Sequence, residues 1–106
     1  MVECKDDDVA YVDWLAANPH GYVLNAERNP RRGYLILHRA ACKFISRSAE
    51  PPVNWTTGGY LKVCAATISE IEDWSRREAG GSPQPCGHCH PLSARHEAVH
   101  ADDAQD

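Results

Sequence analysis

Apolar residues near the N-terminus recur at a helical spacing. The positions i, i+3, i+6 and i+7 are occupied by Val9, Val12, Leu15 and Ala16. This spacing places them on one face of a helix over about residues 9–18, with Asp8 as its N-cap. The helix is expected to end at the sequence Asn-Pro-His-Gly that follows, because the residue before a proline avoids the α-helical region.

The next apolar runs are short and rich in β-branched and aromatic residues, which predicts strands. Residues 21–25 (GYVLN) and 34–38 (YLILH) are joined by a polar turn containing Pro and Gly, so they predict a hairpin. Residues 60–65 (YLKVCA) alternate, which predicts a third strand. Its two faces carry Leu61, Val63 and Ala65 on one side, and Tyr60, Lys62 and Cys64 on the other.

A second helix is predicted from a capping box at Thr67 and Glu70, in which each residue caps the other's free backbone amide. It should run to about Ala79, because two glycines follow. The fold class predicted is α+β, with a small antiparallel sheet of about three strands and two helices. The expected core comprises Val12, Leu15, Leu35, Leu37, Val63, Ile71 and Trp74.

The 106 residues are enough for one domain. We expect residues 1–8 to form a frayed acidic lead, residues 9–91 to form the folded domain, and residues 92–106 to form a disordered polar tail. No apolar run approaches the roughly 18 residues of a membrane span, and the first residues do not read as a signal peptide. We therefore expect a cytoplasmic protein without a membrane partner.

Five cysteines and six histidines are unusual for so short a chain. Cys86 and Cys89 form a CxxC pair, which is half of a tetrahedral zinc site. Cys42 and Cys64 each lie near the end of a predicted element, where ligands can converge. The predicted zinc ligands are Cys42, Cys64, Cys86 and Cys89, with His38 as the alternative fourth ligand. Such an ion would clip the C-terminal segment onto the sheet.

Other readings of the cysteines remain open. Cys64 is equally suited to be a small buried hydrophobic residue, and Cys4 is expected to be a bystander. The tetrapeptide CGHC also occurs in disulfide isomerases. A thioredoxin-like site, however, needs a strand before it and a long helix after it, whereas this one follows a proline-containing spacer.

Charge is divided unevenly along the chain. Residues 28–62 hold seven Lys or Arg against one acid, for a net charge of +6, between two segments of net charge −5. Basic and aromatic groups together suit contacts to phosphates and bases. The predicted nucleic-acid-binding residues are Arg28, Arg31, Arg32, Tyr34, Arg39, Lys43, Tyr60 and Lys62.

The strings GYVLN, YLILHRAACKFI, WTTGGYLKVCA and PCGHCHP together resemble a small actinobacterial Cys/His-rich domain family, over about residues 11–91. The family has no established activity, and the resemblance suggests company with restriction-type nucleases. It implies that one set of positions acts together: Tyr22, Asn25, His38, Arg39, Cys42, Lys62, Cys64, Cys86 and Cys89.

The pattern lacks a nucleophile motif, a phosphate-binding loop and the HExxH zinc motif, so it favours a binding module over an enzyme. We expect a zinc-stabilised module for nucleic acid, most of all DNA, in a defence or restriction setting. One alternative is a protein-interaction adaptor that docks a partner through its aromatic and basic hairpin. Another is a small metalloenzyme that uses His38.

Overall fold

The computed structural model describes residues 1–46 and 54–92. The strands are β1 (Val2–Cys4), β2 (Tyr22–Glu27), β3 (Leu35–Arg39), β4 (Tyr60–Ala65) and β5 (Gln84–Pro85). The helices are α1 (Asp8–Ala17), α2 (Lys43–Ser46) and α3 (Ile68–Trp74), and α3 continues into a π-helical segment, Ser75–Ala79. The α+β class is therefore confirmed, and the expected disordered tail lies outside the described residues except for Leu92.

The five strands form one mixed sheet in the order β1-β4-β2-β3-β5. The hairpin of β2 and β3 is confirmed, and β4 pairs with the other edge of β2. The sheet is larger than predicted because β1 and β5 are edge strands of only three and two residues. Runs this short carry no periodicity that a sequence pattern could reveal. Pro85 fits the edge position because it needs no amide for the ladder.

The N-terminus differs from the frayed lead that was predicted. Residues 2–4 pair antiparallel with β4, and Cys4 is buried against the sheet. Beyond this strand, the Asp6 amide donates to the Thr56 carbonyl at 2.7 Å. Only one of the three residues of β1 is buried, so the segment has no apolar alternation from which a strand could be predicted.

One side of the sheet, which we call the apolar face, is packed almost entirely with aliphatic residues. Leu35 and Leu37 from β3 lie on it beside Leu61 and Val63 from β4, and all four are buried. Helix α3 covers this face with Ile68, Ile71 and Trp74. The alternation predicted for β4 is confirmed.

The other side, which we call the cysteine face, is covered by α1 and α2. Its buried residues are Cys4, Tyr11, Val23, Ala40, Cys42, Ile45, Cys64 and Cys86. Tyr11 reaches across this layer from α1, and its hydroxyl donates to the Ile45 carbonyl of α2. Four of the five cysteines are therefore in the buried layer between the sheet and these two helices.

The predicted buried stripe of α1 is wrong. Val9 is 74% exposed and Val12 is 49% exposed, because the helix instead buries Tyr11 and partly buries Leu15. The N-cap is also shifted by one residue, since the Asp7 side chain accepts from the Ala10 amide. The sequence pattern pointed to the aliphatic residues, but the aromatic ring has more apolar surface to bury.

The second helix agrees with its prediction. The Thr67 side chain accepts from the Glu70 amide at 3.3 Å, and the Glu70 carboxylate accepts in return from the Thr67 backbone amide, which is the capping box. The Thr67 hydroxyl also donates to that carboxylate at 2.9 Å. Gly80 ends the π-helical segment with a positive φ of 69°. Within residues 1–46 and 54–92, no helix has the length and apolarity needed to cross a bilayer.

Candidate metal centre

Four side chains converge where β3 ends and the C-terminal segment returns to the sheet. One ligand atom from each of His38, Cys42, Cys86 and Cys89 lies within 4.8 Å of the other three. His38, Cys42 and Cys86 are buried and Cys89 is partly buried. Ligands bonded to one tetrahedral zinc at about 2.0–2.3 Å are roughly 3.5–4 Å apart, so small side-chain movements would let these four share an ion.

His38 is the next-to-last residue of β3 and projects onto the cysteine face. Its Nδ1 atom is buried and has no hydrogen-bond partner among the described residues. Burial, with a smaller effect from the nearby Lys62, lowers the pKa of this imidazole from 6.5 to about 4. The ring is therefore neutral at neutral pH, which is the form that binds a metal.

Cys42 is positioned by a tight turn between β3 and α2. The Cys42 amide donates to the Arg39 carbonyl at 2.9 Å, and its own carbonyl accepts from the Ser46 hydroxyl at 2.8 Å. This turn brings Cys42 back over the end of β3, four residues after His38.

Cys86 and Cys89 lie in a turn that directly continues the pairing of β5 with β3. The Cys86 amide donates to the Leu37 carbonyl at 2.8 Å, and the Arg39 amide donates to Cys89 Sγ at 3.2 Å. Cys89 Sγ therefore accepts a hydrogen bond from the Arg39 amide, in the position where a backbone carbonyl would accept it if the strand pairing continued. The His90 amide closes the turn on the Cys86 carbonyl at 3.1 Å.

The three thiols do not share one environment. Burial alone would raise the pKa of Cys86, but the backbone amides of Cys89 and His88 bring it below the ordinary value for a thiol. Burial raises the pKa of Cys42 and of Cys89. A cation would therefore displace the proton of Cys86 more easily than that of an ordinary thiol, and the protons of Cys42 and Cys89 less easily, so binding would release protons.

Cys64 lies outside this group, and His38 completes it. His38 on β3 and Cys64 on β4 both pair with Val23, because β2 lies between these two strands. Two strand spacings separate their backbones by about 9.6 Å, and Cys64 is not in the group whose ligand atoms lie within 4.8 Å of one another. Cys64 instead contacts the thiol of Cys4, and burial raises the pKa of both.

The chain matched no family model, no curated protein and no solved structure. The resemblance to an actinobacterial family therefore stays an expectation. The cluster of His38, Cys42, Cys86 and Cys89 could hold a metal ion on its geometry alone.

The eight predicted nucleic-acid contacts are not gathered on one face. Lys62 is 5% exposed, and its Nζ donates to Asn25 Oδ1 at 2.8 Å and to the Trp55 carbonyl at 2.7 Å. Its assignment to a phosphate-binding face is therefore contradicted. Lys62 points to the cysteine face, as strand alternation requires, and that face is covered by helices.

Three of the four predicted arginines also have partners within the protein, and two of these three are Arg28 and Arg39. Arg28 forms an ion pair with Asp6 and donates to the Gly58 carbonyl. Arg39 donates through Nε to the Cys89 carbonyl at 2.7 Å and through a terminal nitrogen to the His90 carbonyl at 2.9 Å. Lys43 lies on α2 beside the exposed Phe44, next in the chain to Cys42 of the candidate metal centre.

The remaining four predicted contacts lie together at the turn of the β2–β3 hairpin and the start of β4. Tyr34 and Tyr60 pack with ring centroids 5.4 Å apart, and Tyr60 is exposed. Arg31 and Arg32 are exposed on the turn, although Arg31 pairs with Glu27 through two hydrogen bonds. We call this set of Arg31, Arg32, Tyr34 and Tyr60 the hairpin tip.

Sequence reasoning missed the network that fixes the loop before β4. The Asp8 carboxylate accepts from the Trp55 amide, the Thr56 amide and the Thr56 hydroxyl. These bonds hold the pKa of Asp8 below its usual value, against the opposing effect of burial. The sequence signal was present as an N-cap residue, but the helix uses the neighbouring Asp7 for that purpose.

Proposed function

We propose that this chain is a small binding module whose fold is held by one structural zinc ion, bound by His38, Cys42, Cys86 and Cys89. The observation that carries the proposal is the convergence of three thiols and one neutral imidazole from three separate segments. Soft thiolate ligands with one imidazole favour zinc over magnesium or calcium.

The donor set supports a structural role over a catalytic one. Structural zinc sites have four protein ligands, whereas catalytic sites retain one position for water or substrate. With His38 as a ligand, the metalloenzyme alternative also loses the residue that it would use as an acid or base.

Zinc analysis of the full chain, purified without chelator, tests this proposal. We expect one zinc per chain, and we expect a strong chelator to remove it with loss of the cooperative thermal transition. A fully folded chain that contains no zinc would refute the proposal.

The partner that we propose is nucleic acid, bound at the hairpin tip. Two tyrosines in contact, with their ring planes tilted by 45°, lie beside two exposed arginines and provide both a surface for bases and cations for phosphates. The ion pair of Arg31 with Glu27 is exposed and therefore weak, so a phosphate can replace the carboxylate. This surface is smaller than the sequence predicted, which favours weak binding.

The salt dependence of binding to single-stranded and duplex DNA tests this assignment. Each phosphate contact contributes about 0.7–0.9 to the slope of log affinity against log salt, so Arg31→Gln and Arg32→Gln should each reduce it by that amount. Arg76→Gln is a matched control, because Arg76 is 64% exposed and paired with Asp73, while Arg31 is 62% exposed and paired with Glu27. Absence of binding at low salt would favour the protein-adaptor alternative.

A further inference from the structure

A cavity of about 330 Å³ opens at the end of the sheet opposite the hairpin tip, where β2 begins and β3 ends. It is lined by Pro19, His20, Gly21, Tyr22, Arg39 and Ala41. Small-molecule sites in proteins have volumes of roughly 300–1,000 Å³, so this cavity is large enough for a small ligand.

The lining contains donors and a cation but no acid. Arg39, His20 and Tyr22 carry its polar side-chain groups, and no Asp or Glu is among the lining residues. The chain as a whole has a net charge of −4. A positively charged cavity in an acidic protein favours an anion, and arginine binds the oxygen atoms of carboxylates and phosphates through paired hydrogen bonds.

Arg39 differs from most other arginines of the described residues. Those that form ion pairs with carboxylates are Arg28, Arg31, Arg76 and Arg77. Within residues 1–46 and 54–92, Arg39 has no such pair, and its guanidinium donates to the carbonyls of Cys89 and His90. Two of its five N–H groups are used in this way, and the other three have no hydrogen-bond partner among the described residues.

These two hydrogen bonds also hold the guanidinium in place. An arginine that is already ordered loses less side-chain entropy when it binds a ligand, so its contribution to affinity is larger. The turn that carries Cys86 and Cys89 therefore positions the cationic group of the cavity.

We propose that this cavity binds the phosphate or carboxylate group of a small molecule, with Arg39 as the principal contact and His20 and Tyr22 as further donors. A second cavity of about 300 Å³ shares Pro19, His20 and Gly21 with the first and is otherwise lined by Ala17, Asn18 and Ala66. It provides space for the uncharged part of the ligand. This site lies at the opposite end of the strands from the nucleic-acid surface and does not depend on it.

Trp14 provides a reporter for the site. A Cβ atom at Gly21 would lie 2.6 Å from Trp14 Cη2 and 3.1 Å from the Ala65 carbonyl oxygen, so the indole packs directly behind the wall of the cavity. A ligand in the cavity should therefore change the tryptophan fluorescence.

The experiment titrates the full chain with inorganic phosphate and with acetate, using chloride at the same ionic strength as the reference. Fluorescence and amide chemical shifts are followed together. We expect saturable binding, with the largest shifts at Gly21, Tyr22 and Arg39. The two probes distinguish the source of the charge: tighter binding of phosphate indicates a phosphorylated ligand, and tighter binding of acetate indicates a carboxylic acid.

Arg39→Gln should weaken binding of the preferred anion at least tenfold, and His20→Gln should weaken it severalfold. Arg76→Gln is the control, since Arg76 is an exposed arginine outside both the cavity and the hairpin tip, and it should leave the affinity unchanged. His20 makes no contact with the metal-binding turn among the hydrogen bonds of the described residues, so its variant remains informative if Arg39→Gln disturbs that turn.

Three outcomes would overturn the proposal. The first is that neither anion saturates at tens of millimolar. The second is that the shifts map away from the cavity. The third is that Arg76→Gln weakens binding as much as His20→Gln does, because the attraction would then come from overall charge.

Discussion

The two faces of the sheet bury their residues by different physical means. The apolar face is packed with aliphatic side chains from three strands and sealed by α3. The cysteine face buries thiols, a phenol, an imidazole and an ammonium group under two helices. Hydrophobic burial has no direction, so almost any aliphatic residue of suitable size serves on the first face. On the second face, each polar group needs its own partner.

The partners on the cysteine face are specific. Lys62 is satisfied by Asn25 and the Trp55 carbonyl, and Tyr11 is satisfied by the Ile45 carbonyl. His38 Nδ1 is the exception among the described residues. A metal ion at that nitrogen would supply the missing partner, so the difference between the faces leads directly to the proposed centre.

The largest effect on the cysteine face is expected from the removal of one metal ligand. Cys86→Ser should abolish the cooperative thermal transition and the bound zinc, because structural zinc sites contribute about 10–16 kcal/mol of apparent binding energy, as much as the whole stability of a domain. Circular dichroism and metal analysis would measure both effects.

Cys64→Ser is the control for that variant, because Cys64 is a buried cysteine on the same face but outside the ligand group. It should retain one zinc per chain and a cooperative transition. If the two variants lose zinc equally, the ligand set is wrong.

A cavity on the apolar face should destabilise the protein without affecting the metal. Leu37→Ala should lower the free energy of unfolding by about 2–5 kcal/mol, since Leu37 is 1% exposed. Leu37→Met, which keeps the volume, should cost less than about 1.5 kcal/mol. Urea unfolding measures both changes. A loss of zinc from folded Leu37→Ala would show that the two faces are not independent.

The same contrast explains what the sequence could predict. On the apolar face, the alternation in β4 and the capping box of α3 each follow from local spacing, and both are confirmed. Five of the expected core residues are buried, namely Leu35, Leu37, Val63, Ile71 and Trp74. The prediction of the buried stripe of α1 was wrong because the packing of this helix depends on the contact of Tyr11 with α2, which the spacing of apolar residues does not reveal.

The candidate metal centre was predicted in three of its four positions. CxxC spacing is local, so Cys86 and Cys89 could be paired from sequence, and Cys42 follows from its place after β3. The choice between Cys64 and His38 depends on the strand order, since β2 lies between β3 and β4. No local pattern carries that order.

Lys62 tests how polar groups are satisfied on the cysteine face. Lys62→Met should lower the free energy of unfolding by about 1–3 kcal/mol at neutral pH, because Asn25 Oδ1 and the Trp55 carbonyl lose their donor. The difference in unfolding free energy between the original chain and Lys62→Met should also depend on pH.

Burial lowers the pKa of Lys62 from 10.5 to about 8. Between these values the unfolded chain binds more protons than the folded one, so the contribution of Lys62 to stability rises with pH across this window. The stability difference between the original chain and Lys62→Met should therefore grow from pH 8 to pH 10.5 in urea titrations. A constant difference would contradict the burial of a charged ammonium group.

The smallest effect is expected on the outer side of α1. Val12→Ala should change the free energy of unfolding by less than about 0.5 kcal/mol, because Val12 is 49% exposed and alanine is the better helix former. Thermal unfolding measures this change. A decrease in the free energy of unfolding of more than about 1 kcal/mol would indicate that Val12 is buried, as the sequence predicted.

X-ray absorption at the zinc edge of the loaded protein would identify the ligand atoms of the proposed centre. We expect three sulfur atoms at about 2.3 Å and one nitrogen atom at about 2.0–2.1 Å, contributed by Cys42, Cys86, Cys89 and His38. Four sulfur ligands, or a bound water in place of the imidazole nitrogen, would contradict this ligand set.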